Sequence, residues 1–167
     1  MIKSGATAIS ARDFLVAYNV NLNTTSTRRA NAVAFDIREA GRIKREGGTL
    51  SGKIMKDEDG NPLKEPGLFK SVKGIGWYIE EYGVAQISYN LTNINISPLH
   101  EVFDKTCERS IARGMRVTGS ELIGLVPKKV LIDAGKHFLK KQKRSKKMLF
   151  KKRKFRKRNT TIRTATF

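Results

Sequence analysis

The chain has 167 residues, 39% of them hydrophobic, which supplies one ordinary core and leaves little for a second. Fourteen of its 34 Lys and Arg residues lie between Lys140 and Phe167, a stretch without a single acid, so residues 1–139 carry 20 basic against 15 acidic side chains and the net charge of +19 describes the tail. One cysteine excludes an internal disulfide, no run approaches the roughly 18 apolar residues of a membrane span, and Met1–Ser10 has no apolar signal segment, so a cytoplasmic protein with no membrane contact is expected.

Asp13–Leu22, DFLVAYNVNL, reads as a strand with two unlike faces. Phe14, Val16, Tyr18, Val20 and Leu22 make a core face. Leu15, Ala17, Asn19 and Asn21 make the other, which ends in two amides that need partners if buried. Asn23–Thr27 is rich in capping residues and opens a helix whose stripe is Ala30, Val33, Ala34, Ile37, Ala40 and Gly41, with Gly47–Gly48 as its stop. Arg28, Arg29, Arg42 and Arg45 fall outside the stripe and read as a solvated face.

Residues 49–71 carry turn chemistry at Asp59–Gly60 and Asn61–Pro62, which predicts a peripheral hairpin or loop. Asp57, Asp59 and Asn61 alternate like the first ligands of a calcium loop. Pro62 stands where that loop needs glycine and Leu68 where it needs glutamate, so calcium is rejected.

Lys73–Tyr82 and Val84–Thr92 follow as strands joined tightly at Gly83. In the second, Ala85, Ile87, Tyr89 and Leu91 alternate with Gln86, Ser88, Asn90 and Thr92, a polar face without charge. Neutral amides and hydroxyls in a row suit a half-dry surface that holds a polar ligand by directed bonds. Ser97–Pro98 opens a second helix with Leu99, Val102, Phe103, Thr106, Cys107, Ser110 and Ile111 inward, before Gly114. Cys107 in that stripe reads as a small hydrophobe and not as a nucleophile. Val117–Val126 is a last strand, and Pro127 opens a third helix through Val130, Leu131, Ala134, Gly135 and Phe138.

This order is the α+β, ferredoxin-like split βαβ arrangement, an antiparallel or mixed sheet with helices on one face and the amide-bearing face left open. It occupies residues 1–140, with a basic, disordered tail over 141–167.

Several blocks resemble a family in order along the chain: Gly5–Leu22, GATAISARDFLVAYNVNL; Arg38-Glu39 with Gly41-Arg42; Gly74–Glu81, GIGWYIEE; Ala85–Leu91, AQISYNL; Leu99-His100; and Gly119–Pro127, GSELIGLVP. Over roughly Gly5–Ser145 the chain is similar to the glutamate formimidoyltransferases, folate-dependent enzymes of histidine breakdown, at the second of the two subdomains of their transferase domain. The resemblance implies a ferredoxin-like subdomain whose sheet faces that of the first subdomain, with tetrahydrofolate as co-substrate between them. It implies transfer of a formimino group from N-formimino-L-glutamate to folate N5, with the catalytic imidazole on the first subdomain.

Carried onto this sequence, the folate-binding wall is Asn19, Asn21, Gln86, Ser88, Asn90 and Ser120, with Arg12 at the rim to meet a substrate carboxylate. No catalytic residue and no metal ligand is assigned to this chain. A first subdomain, separately encoded or missing, is the expected partner, a homodimer is compatible, and no turnover is expected from the chain alone. His100 at the start of the second helix reads as structural, and His137 near the end of the third as a partner of the helix dipole. The resemblance breaks at the tail, KKMLFKKRKFRKRNTTIRTATF, which fits a split or frameshifted reading frame. The competing expectation is nucleic-acid binding through that tail, where Phe150, Phe155 and Phe167 interleave with basic residues.

Overall fold

Both edges of strand β1 (Val16–Leu22) are taken, by β5 (Val84–Leu91) on one side and β6 (Val117–Ile123) on the other, and β4 (Val72–Ile79) lies beyond β5. Every pairing is antiparallel, in the order β4-β5-β1-β6. With α1 (Thr27–Ile37) and α2 (Leu99–Ala112) as crossovers on one face, this is the α+β, ferredoxin-like arrangement. A third helix, α3 (Lys128–Lys141), packs beside α2. The computed structural model describes residues 5–7, 9–11, 13–48 and 52–142; Arg12 and the tail from 143 onward lie outside the described residues.

Strand alternation builds the core. Val16, Tyr18, Val20 and Leu22 join Ala85, Ile87, Tyr89 and Leu91 on the helix side, under Ala30, Val33, Ala34 and Ile37 of α1 and Val102 of α2. The small residues of the α1 stripe bring that helix close to β4. A Cβ added at Gly76 would lie 2.6 Å from the Asn31 backbone nitrogen. Asn31 in turn accepts from the Gly76 N–H at 2.9 Å and donates to its carbonyl at 3.0 Å, occupying the groups a further strand would take on this edge. Behind the sheet, the Thr106 and Ser110 hydroxyls donate to the carbonyls of Val102 and Thr106, and Thr106 also bonds the Tyr89 hydroxyl, so these two buried hydroxyls of α2 are satisfied.

Three expectations are corrected. Phe14 is 81% exposed and precedes the strand, so the core face begins at Val16. Ile111 is 69% exposed on the last turn of α2. The first helix ends at Ile37 and does not run to Gly47, because Arg38 turns extended. Its guanidinium stacks on Phe35 at 3.9 Å and donates to the carbonyls of Gly41 and Gly74. Gly41 then reverses the chain at φ +58°, where a Cβ would meet the Glu65 carbonyl oxygen at 1.8 Å. The segment beyond is a two-stranded arm, β2 (Arg42–Ile43) with β3 (Lys64–Glu65), prolonged by bridges Arg45↔Ile54 and Lys56↔Pro62. Asp36 ties the arm to the helices: it accepts two bonds from Arg113 at 2.8 and 2.9 Å and pairs with Arg42.

Candidate functional site

Residues directly opposite in an antiparallel pair share a face, so the register decides what the open side of the sheet contains. Against β5, Asn21 stands opposite Gln86, Asn19 opposite Ser88 and Ala17 opposite Asn90. Asn19, Asn21, Gln86, Ser88 and Asn90 are therefore gathered on the side away from the helices. Beside them β4 sets Trp77 against Gln86, Ile75 against Ser88 and Lys73 against Asn90. Ile75 and Trp77 on one edge and Ile123 on the other are about half exposed, so a polar strip runs between two apolar margins.

Ser120 is not part of this strip. It pairs with Val20, on the helix side, and hydrogen-bonds the Tyr18 phenol, whose burial pushes its pKa up while that bond offsets part of the rise. The cause is a register shift between Asn21 and Leu22. Leu22 pairs with Val117 but Asn21 with Gly119, so one residue of β6 is absorbed and the alternation inverts beyond it. Glu121, opposite Asn19, is the polar residue that β6 turns to the open face.

Gln86 is fully buried although it lies on that face, because its neighbours close over it. Its Oε1 accepts from Trp77 Nε1 at 3.0 Å, and its Nε2 donates to Asn21 Oδ1 at 2.6 Å and to Glu121 Oε2 at 3.2 Å. The two ends of this chain of bonds permit one orientation. An indole N–H only donates and a carboxylate only accepts, so the Gln86 carbonyl must face Trp77 and its amide nitrogen must face Glu121. Asn21 must then present its oxygen to Gln86. Its Nδ2 is left toward Gly119, where even an added Cβ would stay 3.8 Å away. The strip thus offers a directed donor from Asn21 next to a directed acceptor at Glu121, a pattern suited to a flat ligand with paired donors and acceptors along one edge.

The formiminotransferase domain model matches residues 17–158. The chain belongs to the formiminotransferase family. It is 41% identical over 139 residues to the formimidoyltransferase-cyclodeaminase of Gallus gallus, covering 83% of this chain and 22% of that protein. It is 38% identical over 138 residues to the Sus scrofa protein of the same name, with the same coverage. To the glutamate formimidoyltransferase of Thermoplasma acidophilum it is 33% identical over 137 residues, covering 82% of this chain and 37% of the other. The chain spans between about a fifth and two fifths of the curated relatives it matches.

The two histidines and the cysteine of this formiminotransferase-family chain lie on the helix side of the sheet, on α2 and α3. His137 bonds Asp104 across the α2–α3 contact at 2.8 Å and stacks on His100 with ring centroids 4.6 Å apart. Its partner is thus a carboxylate of the neighbouring helix, where the sequence suggested a helix dipole. Burial alone would raise the Asp104 carboxyl, but hydrogen bonds from Lys141 and His137 outweigh it and hold it low. Cys107, half-buried on α2, has its thiol pushed up by burial and by the nearby Asp104 charge, the opposite of what a nucleophile needs. A cleft of about 320 Å³ lies between the start of α2 and α3, lined by Leu99, His100, Val130 and Asp133 among others. It is separated from the polar strip by the sheet.

Proposed function

We propose that this chain forms one wall of a cytoplasmic formimino-transfer site acting on N-formimino-L-glutamate and tetrahydrofolate, a step of histidine breakdown. The opposite wall and the catalytic imidazole come from a first formiminotransferase subdomain, in the same or another chain. In the reaction the lone pair of folate N5 adds to the formimino carbon and the N5 proton passes to a base. The bond from that carbon to the glutamate nitrogen then breaks as the nitrogen takes a proton, and nothing is oxidised or reduced.

This chain's residues bind and orient. Asn19, Asn21, Ser88 and Asn90 supply neutral donors and acceptors, Trp77 and Ile75 supply flat apolar surface for a pterin, and Arg12 is assigned to the substrate carboxylate by the family resemblance. His100 and His137 lie behind the sheet, which is why the proton acceptor is assigned to the other wall. The observation that carries the reading is the convergence of five uncharged polar side chains on the one sheet face the helices leave bare, with their central amides locked in direction.

The test is reconstitution. The chain is co-expressed with a first subdomain and assayed for 5-formiminotetrahydrofolate, with turnover expected from the pair and none from this chain alone. Replacing Asn19 or Asn90 by Leu should weaken folate binding about 5- to 50-fold, the worth of one or two hydrogen bonds. Unchanged folate affinity in both variants, or robust turnover by the single chain, refutes the assignment.

A further inference from the structure

The strip's one carboxylate has no role in the reading above. Glu121 sits at the centre of β6, opposite Asn19 and across the strip from Trp77. Its Oε2 accepts from Gln86 Nε2 at 3.2 Å, and no cation among the described residues pairs with it. The other charged residue whose register places it on this face, Lys73, is on β4 at the opposite edge of the sheet. A half-buried carboxylate held by an amide, without a counter-ion, is an acceptor left for something that arrives.

The geometry around it narrows what that something is. Gln86 is fixed by Trp77 and cannot rotate to offer Glu121 a second bond without breaking its own bond to Asn21. Oε1 and the outward lone pair of Oε2 therefore remain together as a bidentate acceptor. The natural complement is two parallel N–H groups on one carbon, an N–C–N edge, as in an amidinium or guanidinium.

We infer that Glu121 is the recognition residue of this face for an N–C–N donor edge, with Trp77 and Gln86 as the positioning residues that aim it. The inference rests on the formimino-transfer reading, and both substrates of that reaction carry such an edge. The formimino group is a formamidine, a strong base that is protonated at neutral pH and so presents two N–H donors with a positive charge. The pterin carries its N3–H beside its 2-amino group. A carboxylate against the formamidine keeps it in the cationic form in which its carbon is most electrophilic. A carboxylate against the pterin sets the ring's orientation and hence the position of N5.

The test uses the purified full chain and four ligands, with binding followed by calorimetry and ligand-observed NMR. N-formimino-L-glutamate is compared with N-formyl-L-glutamate, which has oxygen in place of the second nitrogen. 5-Formyltetrahydrofolate is compared with its analogue bearing methyl in place of the 2-amino group. Wild type should prefer the N–C–N member of at least one pair by about 10- to 100-fold, the range for a hydrogen-bonded charge. Glu121→Gln keeps an acceptor for Gln86 and should abolish that preference while leaving the affinity for the N–C–N-free member unchanged. Glu121→Asp, which keeps the charge on a shorter arm, should retain part of it. Loss in the first pair identifies the formimino donor as the ligand of Glu121, and loss in the second identifies the pterin. Preferences that survive in Glu121→Gln overturn this inference alone. If wild type binds none of the four, with or without a first subdomain, the formimino-transfer reading falls and the role of Glu121 falls with it.

Discussion

Gln86→Leu is the most direct test of whether the polar strip is built as described. The substitution nearly conserves volume and removes three hydrogen bonds from a side chain with no solvent exposure. At about 1 kcal/mol for each neutral bond and about 2 for the one to Glu121, the gross loss is about 4 kcal/mol. The stranded partners are only partly covered. Trp77 is 48% exposed, and with Asn21 and Glu121 at the surface of the strip water can replace roughly half of what is lost. A net destabilisation of about 2 kcal/mol follows, or a fall in Tm of roughly 6–10 °C for a domain of this size.

Gln86→Glu separates the network from packing. The introduced carboxylate still accepts from Trp77 but faces Glu121 with no donor between them, so burial and like charge raise its folded pKa above its unfolded one. Stability is then fully present below the unfolded carboxylate pKa and is lost as pH rises through the raised folded value. The deficit against wild type should be small near about pH 4 and grow toward about pH 8. Trp77, the chain's one tryptophan, donates to Gln86 and reports the transition by fluorescence during urea or thermal unfolding. A Gln86→Leu midpoint equal to wild type, or a Gln86→Glu deficit that does not change with pH, would refute the network.

Two further outcomes concern the helix side and the arm. Asp104→Asn should cost about 0.5–1 kcal/mol near neutral pH, discounted for solvent screening, because the Asp104 carboxyl is held low by Lys141 and His137 against its own desolvation. Since its folded pKa is depressed, that contribution exists above the unfolded value and fades as pH falls through the folded one, so urea midpoints of variant and wild type should converge in acid. Gly41→Ala should cost more than about 2 kcal/mol in thermal unfolding, because a Cβ there collides with the Glu65 carbonyl. Gly47→Ala is the control, with a similar φ of +67° and nothing within 4 Å, and should cost only about 1 kcal/mol.

Much of the fold was legible residue by residue. The two-faced alternation of Val16–Leu22 and Val84–Leu91 predicted both the core and the open strip, because period-two patterning is a direct consequence of strand geometry. Gly83 and Ser97–Pro98 marked their turn and helix start by local chemistry alone. The end of α1 was not legible in the same way. The apolar period runs on through Ala40 and Gly41, and the chain leaves the helix because Arg38 finds Phe35, Gly41 and Gly74, two of them in its own vicinity and one 36 residues away.

The candidate site divides along the same line. That Asn19, Asn21, Gln86, Ser88 and Asn90 form the polar faces of two strands follows from the sequence by itself, because alternation is local and needs no partner. Which residue β6 adds to them was decided only in three dimensions. In GSEL two polar residues stand side by side, and a single absorbed residue opposite Leu22 turned Ser120 to the helices and Glu121 to the open face. The direction of each amide was likewise a tertiary matter. It depends on a donor-only indole and an acceptor-only carboxylate meeting one glutamine from strands 9 and 35 residues away, a closure that no local pattern encodes.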